Sequence, residues 1–190
     1  MYSPESAAGG RMTGMATYVA FLRAINLGAK RKFPKDDIVR VTEAAGFTDV
    51  ATHINTGNVR LGTAMRSRAR IEQALEQAYL ADRGFEVPTV VYGQAELREV
   101  AEHAAGIEHD GHQYVALLRD DPTEEGLARL REKAQPGERV EVGGRALHLL
   151  VGADGVSGTR LTNPLVEKCL GTTSTWRNPT VVHALVTKWC

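Results

Sequence analysis

Two apolar runs anchor the chain. Tyr18-Val19-Ala20-Phe21-Leu22 is echoed by Tyr114-Val115-Ala116-Leu117-Leu118, and each run is closed by an arginine, Arg23 and Arg119. Runs without polar alternation predict central strands buried on both faces. The pattern after each run is parallel too. A helix is predicted over Phe33–Ala45, with Pro34 near its first position and Gly46 past its end. Its counterpart is Pro122–Ala134, where Asp121 is expected to cap, Pro122 to sit at N1 and Glu124 at N3. Two strands joined by a tight turn follow in each half: Val50–Asn55 with Asn58–Leu61, then Arg139–Val142 with Arg145–Val151 around Gly143-Gly144.

The next helix is the clearest. Ile71, Ala74, Leu75, Ala78 and Tyr79 fall on one helical face. Its partner, Asn163–Leu170, is shorter, with Asn163-Pro164 as the cap signal and Gly171 as the stop. Fourth strands are expected at Val87–Tyr92 and Thr173–Trp176. Pro88 cannot donate a ladder bond, which makes the first of these an edge strand. Closing helices are expected over Ala95–Ala105 and Pro179–Trp189. The order is βαββαβ twice, so the expected fold is α+β, a tandem duplication of a ferredoxin-like unit with an extra helix after each copy. The boundaries are 16–106 and 107–190, preceded by a Ser-, Ala- and Gly-rich stretch, 1–15, expected to be a disordered tail.

The topology locates a candidate site. The first two strands of a half run the same way, so the loop after the first and the hairpin after the second emerge at one end. In the first half those segments are Ile25–Lys32 and Asn55–Asn58, with Arg23 just before them. Asn26, Gly28 and Lys30 stand in the loop beside Arg31 and Lys32. Asn55, Thr56, Gly57 and Asn58 offer two carboxamides, a hydroxyl and a glycine through which a ligand can approach the backbone. Such groups suit an anion, although Asn and Gly also serve simply as turn formers. At the other end of the chain, Asn178-Pro179 is an N-cap signature, while Arg177 has no capping role. The fourth strand runs opposite to the first, so Arg177 and Asn178 meet the first-half loops only if the halves pack in an inverted relation, and strand direction leans against it. After Arg119, Asp120-Asp121-Pro122 goes straight to a helix cap, so only the first half is expected to carry a site.

Leu22-Arg23-Ala24-Ile25-Asn26-Leu27-Gly28, Gly46-Phe47-Thr48-Asp49-Val50, Thr56-Gly57-Asn58-Val59 and Thr175-Trp176-Arg177-Asn178 resemble, in order, the hallmark segments of a bacterial family, domain of unknown function 1697. The resemblance runs from Met15 to Cys190. It departs at Ala24 and Ala29, where the family usually has glycine, and at Asn55-Thr56, where it usually has Gln-Ser. It implies an α+β fold with two related subdomains and brings no activity with it.

Composition narrows the function. The 190 residues carry 23 Lys and Arg against 23 Asp and Glu, a formal charge of zero. This disfavours a dedicated nucleic-acid binder, and Asn58–Leu61 lacks the aromatics of a standard RNA platform. No apolar run reaches the roughly 20 residues that span a bilayer, and no secretory leader is evident, so a cytoplasmic location is expected, with Cys169 and Cys190 as free thiols. Cys169 reads as core and Cys190 as a thiol without an evident base. His103, His109 and His112 read as a solvated linker rather than a metal site. Gly152–Gly158 lacks the Lys-Ser/Thr ending of a phosphate loop, and no cofactor is expected. The leading expectation is binding of an anionic small molecule or nucleotide at Arg23, Asn26, Gly28, Lys30, Asn55, Thr56, Gly57, Asn58, Arg177 and Asn178. One alternative is a phosphate ester or acyl phosphate hydrolase, by fold analogy to acylphosphatases, using Arg23 with Asn58 or Asn26. The other is a protein interaction module without catalysis. Oligomeric state is left open.

Overall fold

The apolar runs form the strands they predict. In a computed structural model describing residues 14–28 and 30–190, the first run is β1 (Ala16–Leu22), followed by α1 (Lys35–Ala44), β2 (Thr48–His53), β3 (Asn58–Thr63), α2 (Arg68–Arg83), β4 (Thr89–Gly93) and α3 (Gln94–Ala105). The second half repeats the order with β5 (His112–Leu118), α4 (Glu124–Arg131), β6 (Arg139–Gly143), β7 (Ala146–Val151), α5 (Asn163–Leu170), β8 (Ser174–Arg177) and α6 (Pro179–Trp189). A single 3-10 turn, Gly155–Ser157, precedes α5. The tail expected over 1–15 lies, up to residue 13, outside the described residues.

Both sheets are antiparallel, ordered β2-β3-β1-β4 and β6-β7-β5-β8, so these are duplicated ferredoxin-like units. β4 is at an edge, as Pro88 requires. One face of the first sheet packs on α1 and α2 through Ile38, Val41, Leu75 and Tyr79. The second sheet does the same with α4 and α5 through Leu127, Leu130, Val166 and Cys169. The remaining faces meet each other around α3 and α6, burying Phe21, Tyr92, Leu117, Leu185 and Trp189. That shared core makes the halves one body.

Three local expectations are corrected. α4 is capped by Thr123, whose hydroxyl accepts from Gly126 N–H at 3.1 Å, and not by Asp121; Pro122 lies outside the helix. α5 is capped by Thr162, while Asn163 instead donates to the Ser174 carbonyl at 2.9 Å. A threonine hydroxyl serves the N-cap as well as a carboxamide or carboxylate does, and local spacing does not choose between them. The β6–β7 turn is Gly144-Arg145 rather than Gly143-Gly144, because Gly143 pairs with Ala146. A Cβ at Gly143 would meet His103 on α3 at 2.8 Å, so this glycine allows α3 to approach β6 of the other half.

The halves are stapled reciprocally. Arg23 crosses to Glu167 on α5 at 2.6 Å, and Arg119 crosses to Glu76 on α2 and to the Thr89 carbonyl at 2.7 Å. Each glutamate also accepts the first amide of its own edge strand, Thr89 N–H at 2.8 Å and Ser174 N–H at 2.9 Å. The arginines that close the two apolar runs therefore perform one job twice.

His148, on β7 and fully buried, faces this interface. Its ring lies 4.6 Å from that of His103, its Nδ1 is 3.3 Å from Gln113 Nε2, and its Nε2 has no hydrogen-bond partner among the described residues. Burial, aided by His103, pushes its pKa down to about 4. An imidazole whose folded pKa lies below its unfolded value stabilises fully above about 6.5, and that stability is lost as pH falls toward about 4. Urea titrations between pH 7 and 4 are expected to show a loss of order 2–3 kcal/mol that His148→Leu removes; an unchanged pH slope in that variant contradicts the assignment.

Candidate ligand-binding site between the halves

The loop after β1 folds around Asn26. Its Nδ2 donates to the carbonyls of Phe33 (3.2 Å) and Asn55 (2.9 Å), and its Oδ1 accepts from Phe33 N–H at 2.9 Å. These bonds close the loop on itself and tie it to the β2–β3 hairpin. The hairpin in turn is held by Gly57, at φ 75°, whose carbonyl accepts from Leu22 N–H at 2.8 Å. A Cβ there would meet Leu22 Cβ at 2.7 Å, so glycine is required for both conformation and space.

Asn58 is 0% exposed and spends its carboxamide inward. Its Nδ2 donates to the His53 carbonyl and to Thr56 Oγ1, both at 3.0 Å. Its Oδ1 accepts from Arg177 Nε at 2.6 Å, across the boundary between the halves. Arg177 is 9% exposed. Its other N–H groups reach Thr175 Oγ1 (2.9 Å) and the carbonyls of Trp176 (2.7 Å), Thr56 (2.9 Å) and Leu22 (3.3 Å), with the guanidinium 5.4 Å from the Phe21 ring centroid. No carboxylate pairs with it among the described residues. Burial lowers its pKa to about 10, which leaves it charged at neutral pH.

The pseudo-equivalent position sharpens the point. Arg177 pairs with Val115 as Tyr92 pairs with Val19, so the two occupy matching places. Tyr92 donates its hydroxyl to the Arg145 carbonyl at 2.6 Å and accepts from Leu118 N–H at 3.1 Å. Arg145 itself is buried there, but Glu96 stands 3.3 Å from its Nε. One end of the interface holds a compensated arginine and the other an uncompensated one.

Beside Arg177 opens a cavity of about 590 Å³. First-half loops supply Ala24, Asn26, Leu27, Ile54, Asn55 and Thr56; the second half supplies Tyr114, Val156, Thr175, Trp176, Asn178 and Val181. No acidic side chain is among its lining residues. α6 begins here: Asn178 is its N-cap residue, and its exposed side chain makes no capping bond, while the Val181 and Val182 amides donate to its carbonyl at 3.0 and 3.2 Å and Pro179 has no N–H to offer. Tyr114 and Trp176 stack with ring centroids 5.6 Å apart, and the Trp176 indole N–H has no acceptor among the described residues.

The structure thus brings Asn26, Asn55, Thr56, Arg177 and Asn178 around one cavity, with Gly57 and Asn58 directly behind it. Arg23, Gly28 and Lys30 are not among its lining residues. Arg23 is engaged by Glu167, Gly28 turns the exposed loop at φ 66°, and Lys30 is exposed. Arg31 is spent on the carbonyls of Ala24 and Glu86, both at 2.6 Å. The halves do pack in the inverted relation that strand direction leaned against, and the cavity draws on both. The expectation of a site confined to the first half is therefore replaced by one between the halves. Sequence reasoning missed Tyr114, Val156, Thr175, Trp176 and Val181. The only signal available was that Tyr114 and Trp176 fall on the same face of neighbouring strands.

The pairing that the hydrolase reading needed is not formed, because Arg23 is held by Glu167 and both ends of the Asn58 carboxamide are bonded within the protein. His109 and His112 contact the carbonyls of Val151 (2.8 Å) and Ala153 (3.0 Å), and no group of three His, Cys, Asp or Glu side chains among the described residues is placed to hold a metal ion. Cys169 is buried in the second core, and Cys190 is a half-buried thiol whose pKa burial raises. No described helix is long and apolar enough to cross a membrane.

The profile of a family described as "Protein of unknown function (DUF1697)" matches residues 15–148. The chain belongs to that family. Among solved structures it is similar to a conserved bacterial protein, SP0830 from Streptococcus pneumoniae, with TM-score 0.71 and 17% identity over 92% of this chain and 98% of that one. At that identity the likeness shows the fold alone. No curated protein matches. Within the DUF1697 match, Ala24 stands at φ 56°, in the left-handed region where the resemblance has its usual glycine.

Two substitutions separate scaffold from surface here. Gly57→Ala is expected to cost about 2–3 kcal/mol in urea denaturation, from backbone strain plus the Leu22 clash. Asn178→Ala is expected to stay within about 0.5 kcal/mol, because no capping bond is lost.

Proposed function

We propose that this protein binds a small anionic molecule in the cavity between its halves. The observation that carries the reading is the buried Arg177 charge, which has no carboxylate partner among the described residues and borders a cavity without acidic lining. Its five N–H groups are engaged by protein acceptors, so it acts on a ligand through its field rather than by direct contact. Direct donors come from the Asn178 and Asn55 carboxamides and the Thr56 hydroxyl, and the positive end of the α6 dipole beside them also favours negative charge. The volume, about 590 Å³, falls in the usual range for small-molecule sites.

Calorimetric titration with acetate, 3-phenylpropionate, glucose 6-phosphate, AMP and ATP tests this. At least one anion is expected to bind, more weakly as salt is added. Asn178→Asp is expected to weaken that binding about tenfold or more through like-charge repulsion, while leaving the urea midpoint in place because aspartate suits an N-cap. Binding by no member of the series, or binding indifferent to Asn178→Asp, overturns the proposal.

A further inference from the structure

The rim of the cavity is apolar and strained, and both features bear on what enters it. Leu27 is 64% exposed, Ile54 49% and Val156 54%; all three line the cavity, and they are three of the five large hydrophobics exposed among the described residues. They come from three separate segments: the β1–α1 loop, the β2–β3 hairpin and the 3-10 turn. Isolated exposed hydrophobics need no explanation, but convergence on one opening does.

Backbone strain gathers at the same place. Of four non-glycine residues with positive φ among those described, Ala24 (56°), Asn26 (55°) and Ile54 (50°) line the cavity. Asparagine tolerates this region, and Asn26 uses it to close its loop. Ile54 has no such reason. A β-branched residue there is a true outlier, and strain of this kind persists where the surroundings over-determine it, often at binding sites. Here it keeps an isoleucine side chain at the mouth of the cavity, half in solvent.

The charge available is small. Arg177 supplies one buried unit, and the α6 N-terminus adds about half a unit. Lys30, Arg31 and Lys32 are not among the lining residues, and Arg31 is bound to the carbonyls of Ala24 and Glu86. A polyphosphate carrying several negative charges would outnumber these positive ones. Of 15 lining residues, nine are aliphatic or aromatic, Tyr114, Trp176 and the three rim residues among them.

Resting on the anion-binding reading above, we infer that the ligand is an amphiphilic monoanion. It is a carboxylate whose charged end meets the Asn178 carboxamide at the start of α6 and whose apolar body, aromatic or branched aliphatic, lies against Tyr114 and Trp176 and under the Leu27, Ile54 and Val156 rim. Binding then depends on two terms, charge at the head and apolar area at the body, and each can be removed alone.

The test is a matched set of probes titrated into the full-length protein: 3-phenylpropionate, acetate, 3-phenylpropanamide, AMP and ATP. 3-Phenylpropionate is expected to bind about tenfold or more tightly than each of the others, since acetate lacks the body, the amide lacks the charge, and the nucleotides exceed it. Ile54→Gly is expected to weaken 3-phenylpropionate about fivefold while leaving the thermal midpoint unchanged or higher, because glycine relieves the strained φ. Loss of affinity without loss of stability separates a rim contact from damage to the fold. AMP or ATP binding more tightly than 3-phenylpropionate, or Ile54→Gly leaving affinity unchanged, overturns this inference and leaves the anion-binding proposal standing. No binding by any anion removes that proposal itself.

Discussion

A guanidinium from the second half ends among the carbonyls and carboxamide of the first, and the architecture around the cavity follows from it. Arg177 is the last residue of β8 and is bonded to Asn58, Thr56 and Leu22, so the β2–β3 hairpin and the end of β1 are fixed relative to the start of α6. Burying a cation is costly unless its donors are satisfied. Satisfaction here comes from neutral acceptors only, which meets the hydrogen-bonding demand and leaves the charge unbalanced. The scaffold and the proposed chemistry are thus two consequences of one side chain.

The duplication explains why such a residue can exist. Two copies of one scaffold face each other in inverted relation, so every interface position occurs twice and the two occurrences are free to diverge. Arg23 and Arg119 stay alike, each crossing to the other half's helix glutamate. Tyr92 and Arg177 have diverged. Where the tyrosine stands, the neighbouring Arg145 has Glu96 beside it and the interface is closed by neutral and compensated groups. Where the arginine stands, no carboxylate among the described residues accompanies it, and a cavity opens alongside. The interface is thus closed at its Tyr92 end and borders a cavity at its Arg177 end.

Much of the scaffold was legible because its signals are local. The Tyr18–Leu22 and Tyr114–Leu118 runs, the Ile71–Tyr79 stripe, Pro88 and Gly171 each constrain a few neighbouring residues, and each element formed where those constraints put it. The caps of α4 and α5 were misassigned by one or two residues because Thr123 and Thr162 compete chemically with Asp121 and Asn163, and geometry decides among them. The site was half legible. Asn26, Asn55, Thr56 and Asn58 could be placed together from strand direction alone. The part played by Arg177, the aromatic pair Tyr114 and Trp176, and the diversion of Arg23 to Glu167 depend on how one half docks on the other. That docking is set by the apolar faces of Phe21, Tyr92, Leu117 and Leu185 acting together, and no single segment records it.

The central claim is that Arg177 and Asn58 act as one unit across the boundary. A double-mutant cycle on Asn58→Ala and Arg177→Met, followed by urea denaturation, measures this directly. The account predicts single variants that each destabilise strongly and a double variant much less destabilised than their sum, with a coupling of about 1–3 kcal/mol. Additive effects would contradict it, since they would mean that the carboxamide and the guanidinium contribute independently to the fold.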